Sequence, residues 1–151
     1  MKGWAIPFGI AMLVLSADFW SKYYVRKNFS PGFSVPIVEK VFHITPVYNT
    51  GFVFGLFKNA PPLLSIILTI GVLAIMFIYF KRLLRHRYGG LAFGFLLGGI
   101  LGNFIDRIRV GYIIDFIDIR VWPVFNLSDV SICLGMGFFL LNIIKYNSGV
   151  Y

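Results

Sequence analysis

Four long apolar stretches constrain this chain more than any other feature of its sequence. They cover about residues 3–25, 61–80, 89–108 and 127–146. Each approaches the roughly 20 residues that an α-helix needs to cross the hydrocarbon core of a bilayer. Because 58% of the residues are hydrophobic and only 13% are charged, a water-soluble domain of this length would carry an apolar surface. The sequence therefore predicts a membrane protein, mainly α-helical, with four transmembrane helices in a single domain over residues 1–151.

The first apolar stretch has a second interpretation, as a cleavable signal peptide. Lys2 precedes it, and the small residues of "LSAD" lie near its end. The apolar run nevertheless continues through Phe19, Trp20, Tyr23 and Tyr24. We therefore expect a retained transmembrane helix.

The basic residues indicate how the chain is oriented in the membrane. The segment "KRLLRHR" at 81–87 holds four of the fourteen Lys and Arg residues and no acid. A short loop of this kind is typical of the cytoplasmic side. With four spans, both termini are then cytoplasmic as well. The net charge of +8 is explained by this topology, so we expect no nucleic-acid partner.

A small β element is predicted on the outer side, between the first two spans. Residues 35–38 and 41–48 are rich in β-branched and aromatic side chains, and the pair Glu39-Lys40 separates them. Pro36 and Pro46 favour edge strands over a central position, because proline has no N–H to donate to a neighbouring strand.

The acidic residues are concentrated in one part of the sequence. Of six in the chain, Asp106, Asp115 and Asp118 fall within "GNFIDRIRVGYIIDFID" at 102–118, and Asp129 follows eleven positions later. Residues 112–122 read as extended, so alternation places Asp118 on the same face as Arg120, as a solvated or paired surface group. Asp115 shares its face with isoleucines. An acid on an apolar face needs a partner or a function.

Three further polar groups have both a structural and a functional interpretation. Asp18 and Lys22, four residues apart, form either a surface ion pair or a support for a deeper site. The residues that share a helix face near the end of the third span are Asn103, Asp106 and Arg107. Asp106 opposes the helix dipole there, so it requires a partner, either Arg107 or a group on another span.

The third group opens the fourth span in "FNLSD". Asn126 and Asp129 are placed to cap that helix, but an ionisable group at membrane depth is also a functional candidate. Four glycines before Asn103 let another helix or strand approach the third span closely. They are Gly94, Gly98, Gly99 and Gly102.

Asp115 and Asp129 together suggest a pair of carboxylates that share one proton. Such a pair acts as base and acid at once, as in aspartic proteases. Other peptidase chemistries fit poorly, since the chain has no HExxH motif and its histidines, His43 and His86, are predicted on opposite sides of the membrane. Cys133 reads as a packing residue. We expect neither a metal nor another cofactor.

Five segments, in this order between four spans, resemble the lipoprotein signal peptidases (signal peptidase II). They are "ADFWSK", "YNTGFVFG", "GGILGNFIDR", "VGYIIDFID" and "FNLSD". The resemblance covers essentially the whole chain. It implies a bacterial inner-membrane aspartic endopeptidase that removes the signal peptide from diacylglyceryl-modified prolipoproteins, cutting just before the lipidated cysteine. It also implies four transmembrane helices with an outer β cradle and both termini cytoplasmic.

The resemblance assigns roles to particular residues. It implies that Asp115 and Asp129 are catalytic. Strand alternation turns Asp118 away from Asp115, so we expect Asp118 to be a bystander. The implied supporting residues are Asn49, Asn103, Asp106, Arg107, Asn126, Asp18 and Lys22. The chain departs from the family pattern at Phe52, Val53 and Ser128, which affects the expected shape of the substrate groove.

Two other functions fit parts of the sequence. Intramembrane carboxylates suit a small proton or ion transporter, although these acids lie toward one side and form no path across the membrane. A purely structural membrane subunit would leave Asp115 unexplained. The expected partners are the prolipoprotein substrate and membrane lipids, and we expect the protein to act as a monomer.

Overall fold

Four long helices form the body of the protein in the computed structural model, which describes residues 2–51 and 62–147. They are α1 (Lys2–Asn28), α2 (Pro62–Leu83), α3 (Gly89–Val110) and α4 (Leu127–Asn147). All four are long and apolar enough to cross a membrane. The four predicted spans are confirmed, and each helix extends beyond its predicted end by one to three residues.

Helix α3 is the central helix, and its glycines allow the neighbouring helices to approach closely. A methyl group at Gly98 would lie 2.7 Å from Cβ of Val14 in α1. One at Gly99 would lie 2.5 Å from the carbonyl oxygen of Ser128 in α4. Neither site has room for a larger residue. The predicted role of these glycines in helix packing is confirmed.

Aromatic side chains fill the bundle near the α2–α3 connection. Phe93 of α3 is fully buried, and its ring centroid lies 4.3 Å from that of Phe80 in α2. Trp4 of α1 packs edge-on against Phe80 at 4.5 Å. Such aromatic contacts are apolar, so α1, α2 and α3 pack here by shape. Asn142 and Lys145 of α4 also bind Tyr88, at the start of α3, through hydrogen bonds.

The sheet lies at the opposite end of the bundle. Its strands are β1 (Val35–Val38), β2 (Phe42–Asn49) and β3 (Ile113–Asp118), antiparallel and in the order β1-β2-β3. The predicted strands and the turn at 39–40 are confirmed. The prediction that Pro46 marks an edge strand is wrong, because β2 is central. The β2–β3 register shifts between Ile44 and Val47, so Pro46 falls in an irregularity where the ladder does not require its N–H.

The chain between α3 and α4 brings two distant acids to one place. Gly111 ends α3 with a φ of 81°, a backbone conformation that glycine adopts without a Cβ penalty. After β3 the chain turns back, and Phe125 pairs with Ile117 in an isolated antiparallel bridge. Helix α4 starts directly afterwards. The end of β3 and the first turn of α4 are therefore neighbours.

Candidate active site

Asp115 occupies the middle of β3 and is only 3% exposed. Its two oxygens each accept an amide hydrogen bond, Oδ1 from Nδ2 of Asn126 at 2.7 Å and Oδ2 from Nδ2 of Asn49 at 2.9 Å. Burial, together with the neighbouring charge of Asp129, raises the pKa of Asp115 to about 6, although both amide bonds oppose the rise. This carboxyl can therefore hold or release a proton near neutral pH.

Asp129 lies in the first turn of α4 and belongs to the same hydrogen-bonded network as Asp115. Its Oδ1 accepts a hydrogen bond from Nδ2 of Asn103 at 2.8 Å, and its Oδ2 accepts one from the backbone N–H of Asn126 at 3.1 Å. Its own N–H donates to Oδ1 of Asn126 at 3.0 Å. The predicted capping pair is confirmed by this reciprocal arrangement, and the cap is also part of the polar cluster.

Two amides connect the carboxylates. The Nδ2 group of Asn126 has two hydrogens and donates to Asp115 and, at 3.1 Å, to Oδ1 of Asn103. That Oδ1 also accepts a hydrogen bond from Nζ of Lys22 at 3.1 Å. The amide oxygen of Asn103 thus faces two donors while its nitrogen faces Asp129. Each amide has one orientation that satisfies its partners.

A buried ionic cluster supports Asn103 from α1. Nζ of Lys22 lies 2.7 Å from Asp18 and 2.8 Å from Asp106 of α3, and both Lys22 and Asp18 are 3% exposed. Asp18 also accepts the backbone N–H of Ser128 at 3.0 Å. The alternative of a surface ion pair for Asp18 and Lys22 is wrong, because both are buried and Lys22 also contacts Asn103. The partner that Asp106 requires is Lys22, on another span.

A second support ties the end of β2 to α3. Nη2 of Arg107 donates to the carbonyl oxygen of Gly51 at 3.1 Å, and the N–H of Gly51 donates to Oδ1 of Asn49 at 2.9 Å. Asn49 in turn binds Asp115. The part played by Gly51 was missed in the sequence, because it depends on backbone atoms that no side-chain pattern reveals.

The prediction for Asp118, three residues after Asp115, is wrong in one respect. It pairs with Arg120 at 3.1 Å as predicted, but it is 6% exposed and is not a solvated surface group. The strand is buried on both faces at this point, with Ile114 and Phe116 buried opposite Asp115. Strand alternation therefore predicted correctly that Asp115 and Asp118 lie on opposite faces of β3, but both faces are buried.

The locations of Cys133 and Ser128 test two other predictions from the sequence. Cys133 is exposed on α4, so the prediction that it is a packing residue is wrong. Ser128 is fully buried, with its hydroxyl against Gly102 of α3 and its backbone N–H donating to Asp18 of α1. It belongs to helix packing. Phe52 and Val53, the other departures from the family pattern, lie outside the described residues.

All nine residues that the sequence nominated meet at one end of the bundle. They are Asp18, Lys22, Asn49, Asn103, Asp106, Arg107, Asp115, Asn126 and Asp129. Four membrane helices, a three-stranded sheet and two carboxylates joined through linked amides define a multi-pass membrane protein with a polar site at the sheet end.

Comparison with known proteins identifies the family. The family model described as Signal peptidase (SPase) II matches residues 10–145. The chain belongs to the signal peptidase II family, proteases that process the signal peptides of lipoproteins, and it is a multi-pass protein of the bacterial inner membrane.

Individual relatives agree with this assignment over most of their length. The lipoprotein signal peptidase of Moorella thermoacetica is 42% identical over 132 residues, covering 84% of this chain and 85% of the relative. That of Bacillus subtilis is 37% identical with the same coverage. A solved structure described as a bacterial membrane enzyme superposes with a TM-score of 0.89 at 28% identity, over 96% of this chain and 91% of the other.

Proposed function

We propose that this protein is an intramembrane aspartic endopeptidase that cleaves diacylglyceryl-modified prolipoproteins just before the lipidated cysteine. The observation that carries the proposal is the joint environment of Asp115 and Asp129. Both accept hydrogen bonds from amides that are themselves linked, Asn126 and Asn103. Two carboxylates held together at low dielectric favour a state in which one is protonated and the other is charged.

Hydrolysis follows from that shared proton. The charged carboxylate removes a proton from water, and the water oxygen attacks the carbonyl carbon of the scissile bond. The protonated carboxyl gives its proton to the carbonyl oxygen, so a neutral tetrahedral intermediate forms. Collapse of the intermediate breaks the C–N bond. The departing nitrogen takes a proton from one carboxyl while the other carboxylate receives one from the intermediate, which restores the starting state.

The surrounding polar residues fix the two carboxylates without entering the reaction. Lys22 and Asn126 orient Asn103, which donates to Asp129. Arg107 holds the backbone beside Asn49, which donates to Asp115. Fixed donors around a reacting group lower the reorganisation that the reaction would otherwise require.

The proposed substrate and assembly state follow from the membrane setting. The scissile bond of a lipidated prolipoprotein lies at the membrane interface, because its diacylglyceryl group is embedded in lipid. One chain supplies both carboxylates and all of their described supports, so we propose that the monomer is active. The chemistry requires no metal, and activity is expected to survive EDTA.

We further propose that the sheet end faces outward and that both termini are cytoplasmic. All six acids lie toward the sheet end, and the basic segment 81–87 lies at the other end. A His86→Cys, Cys133→Ala variant should resist an impermeant thiol reagent added outside intact cells and react after the cells are opened. Labelling of position 86 from outside would contradict this orientation.

The mechanism is tested by Asp115→Asn and Asp129→Asn. Each change keeps the size of the side chain but removes the shared proton, so each variant should insert and bind substrate while losing cleavage by at least about a hundredfold, the scale of an acid–base group. The double variant should be little worse than either single one, since the pair acts as a unit. The assay follows the mass loss of a purified diacylated prolipoprotein.

Glu39→Gln, at an exposed acid in the β1–β2 turn, is the matched control and should retain full activity. Near-native cleavage by either Asn variant would refute the carboxylate pair.

A further inference from the structure

A second polar cluster lies on the sheet, apart from the carboxylate pair. It consists of Ser34, just before β1, His43 and Thr45 in β2, and Asp118 at the end of β3. Oγ1 of Thr45 lies 2.8 Å from Oδ2 of Asp118 and 2.8 Å from Oγ of Ser34. Oγ of Ser34 lies 2.9 Å from Nδ1 of His43. The cluster therefore links all three strands.

The cluster lies where the backbone ladder is interrupted. Thr45 and Pro46 fall between Ile44 and Val47, the two β2 residues that flank the register shift against β3. Proline has no N–H to donate. The side-chain hydrogen bond from Thr45 to Asp118 crosses the two strands at this irregularity. Asp115 pairs with Val47 directly beyond it, so a slip of β2 along β3 at this point would displace Asp115 from Asn49.

Asp118 also fixes the turn that follows β3. Its Oδ1 accepts the backbone N–H of Arg120 at 2.9 Å, and its Oδ2 lies 3.1 Å from Nη1 of the same residue. Arg120 has a φ of 67°, a left-handed conformation that is unfavourable for a non-glycine residue. This turn starts the segment that returns to pair Phe125 with Ile117 and leads into Asn126 and α4.

We propose that Asp118 and Thr45 are positioning residues for the carboxylate pair. Together they hold β2 against β3 at the irregularity and set the turn between β3 and α4. Thr45 and Asp118 are called here the clamp. In the sequence, Asp115 precedes Asp118 and Asp129 follows it, so the clamp lies between the two carboxylates along β3 and the turn. The inference rests on the proposed function, because it assigns Asp118 and Thr45 to the alignment of that same site.

The donor in each hydrogen bond of the cluster can be assigned in one consistent way. Burial alone would raise the pKa of Asp118, but hydrogen bonds from Arg120 and Thr45 outweigh it and hold that pKa below the usual value. Asp118 is thus an ionised, acceptor-only group at neutral pH, and the single hydroxyl hydrogen of Thr45 points to it. Ser34 must then donate to Thr45, and His43 must donate to Ser34 from Nδ1–H. The tautomer of His43 therefore reports on an intact cluster.

The proposed role of Thr45 is tested with Thr45→Val, which keeps the size of the side chain, and Thr45→Ser, which is one methyl group smaller. Valine favours strands but cannot donate, whereas serine keeps the hydroxyl. Thr45→Val should lower kcat about tenfold and change KM less than twofold, since misalignment affects the reaction more than binding. Thr45→Ser should keep kcat within about twofold of the parent. Asp118→Ala, which also releases the turn at Arg120, should have the larger effect.

A readout independent of activity is the ¹⁵N spectrum of His43 in a His86→Gln background, in detergent-solubilised full-length protein at neutral pH. The parent and Thr45→Ser should show the Nδ1–H tautomer, and Thr45→Val should show a mixture or the Nε2–H form.

Unchanged kcat and an unchanged His43 spectrum in Thr45→Val would overturn the proposal. Full activity of Asp115→Asn in the same assay would instead refute the proposed function, so the two failures are distinguishable. Glu39→Gln serves again as the control on the same sheet.

Discussion

The two halves of the helical bundle are held together by different physical means. Near the α2–α3 connection, α1 meets its neighbours through aromatic rings and glycines, with Phe93 fully buried and Gly98 against Val14. Near the sheet, the same helix meets α3 and α4 through the charges of Asp18, Lys22 and Asp106. The contacts of α1 are apolar in the first half, called here the apolar half, whereas the second, the charged half, contains most of the acids of the chain.

This difference indicates what each half does. Apolar and small-residue contacts are sufficient to associate helices in lipid. Burying three charges is costly, and in many proteins well-packed apolar residues would serve stability as well or better. Burying these charges therefore costs free energy that helix packing alone would not require. Its hydrogen bonds end on Asn103 and Asp129, which suggests that it is retained for the orientation of the site.

The largest expected effect of a single change in the charged half is that of Lys22→Met. Methionine keeps much of the volume but leaves Asp18 and Asp106 buried without their cation. Breaking a buried pair on one side costs about 3–5 kcal/mol, and cleavage should fall because Asn103 loses a donor. Thermal unfolding in detergent and the cleavage assay check both effects.

Two further variants sharpen the test of Lys22. Lys27→Met, at an exposed lysine at the end of α1, should change stability by less than about 0.5 kcal/mol. Adding Asp106→Asn to Lys22→Met should cost less than the sum of the two changes, because it removes one unpaired carboxylate. Full activity and stability in Lys22→Met would mean that the charges do not organise this half.

The second prediction concerns pH. The folded protein raises the pKa of Asp115 from 3.8 to about 6, so it favours the protonated carboxyl. The associated stability is fully present below pH 3.8 and is lost as the pH rises through about 6. Thermal stability should therefore be lower at pH 7.5 than at pH 5, and Asp115→Asn should reduce that difference. A pH dependence that is unchanged in Asp115→Asn would assign it to other groups.

The shared proton gives a matching expectation for activity. Cleavage should decline as the pH rises through the raised pKa of Asp115, about 6. Because the two carboxyls are coupled, the observed midpoint belongs to the pair and not to one residue.

In the apolar half, Gly98→Ala should destabilise without altering the chemistry. The added methyl group would lie 2.7 Å from Cβ of Val14, and overpacking of this kind typically costs about 1–3 kcal/mol. Gly71→Ala is the control, because nothing lies within 4 Å of a methyl group there. The unfolding temperature should fall only in Gly98→Ala, and the pH profile of cleavage should be the same in both. A shifted profile in Gly98→Ala would show that the halves are coupled.

The smallest expected change is a gain in stability. Ser128 is fully buried, and its hydroxyl has no hydrogen-bond partner among the described residues. Ser128→Ala removes this unsatisfied group but keeps the backbone N–H that donates to Asp18, so it should stabilise the protein by about 1 kcal/mol. Ser16→Ala, at an exposed serine in α1, should have little effect. A loss of stability in Ser128→Ala would indicate a partner for the hydroxyl.

The sequence by itself determined the elements of this protein. Apolar length defined the four helices, because a bilayer fixes how many residues a span requires. The glycines of α3 indicated close packing, and the isolated position of Asp115 among isoleucines identified an unusual carboxyl. These inferences succeed because they depend on local composition and spacing, which the linear chain displays directly.

Only the tertiary structure decided which polar groups meet. Lys22 is separated from Asn103 by 81 positions and Thr45 from Asp118 by 73, so no local pattern could pair them. The central position of β2 was missed, because an irregular register removes the need for the N–H that Pro46 lacks. Asp118 was misjudged for a similar reason: alternation gives the face of a strand, but only the packing of other elements determines whether that face is buried.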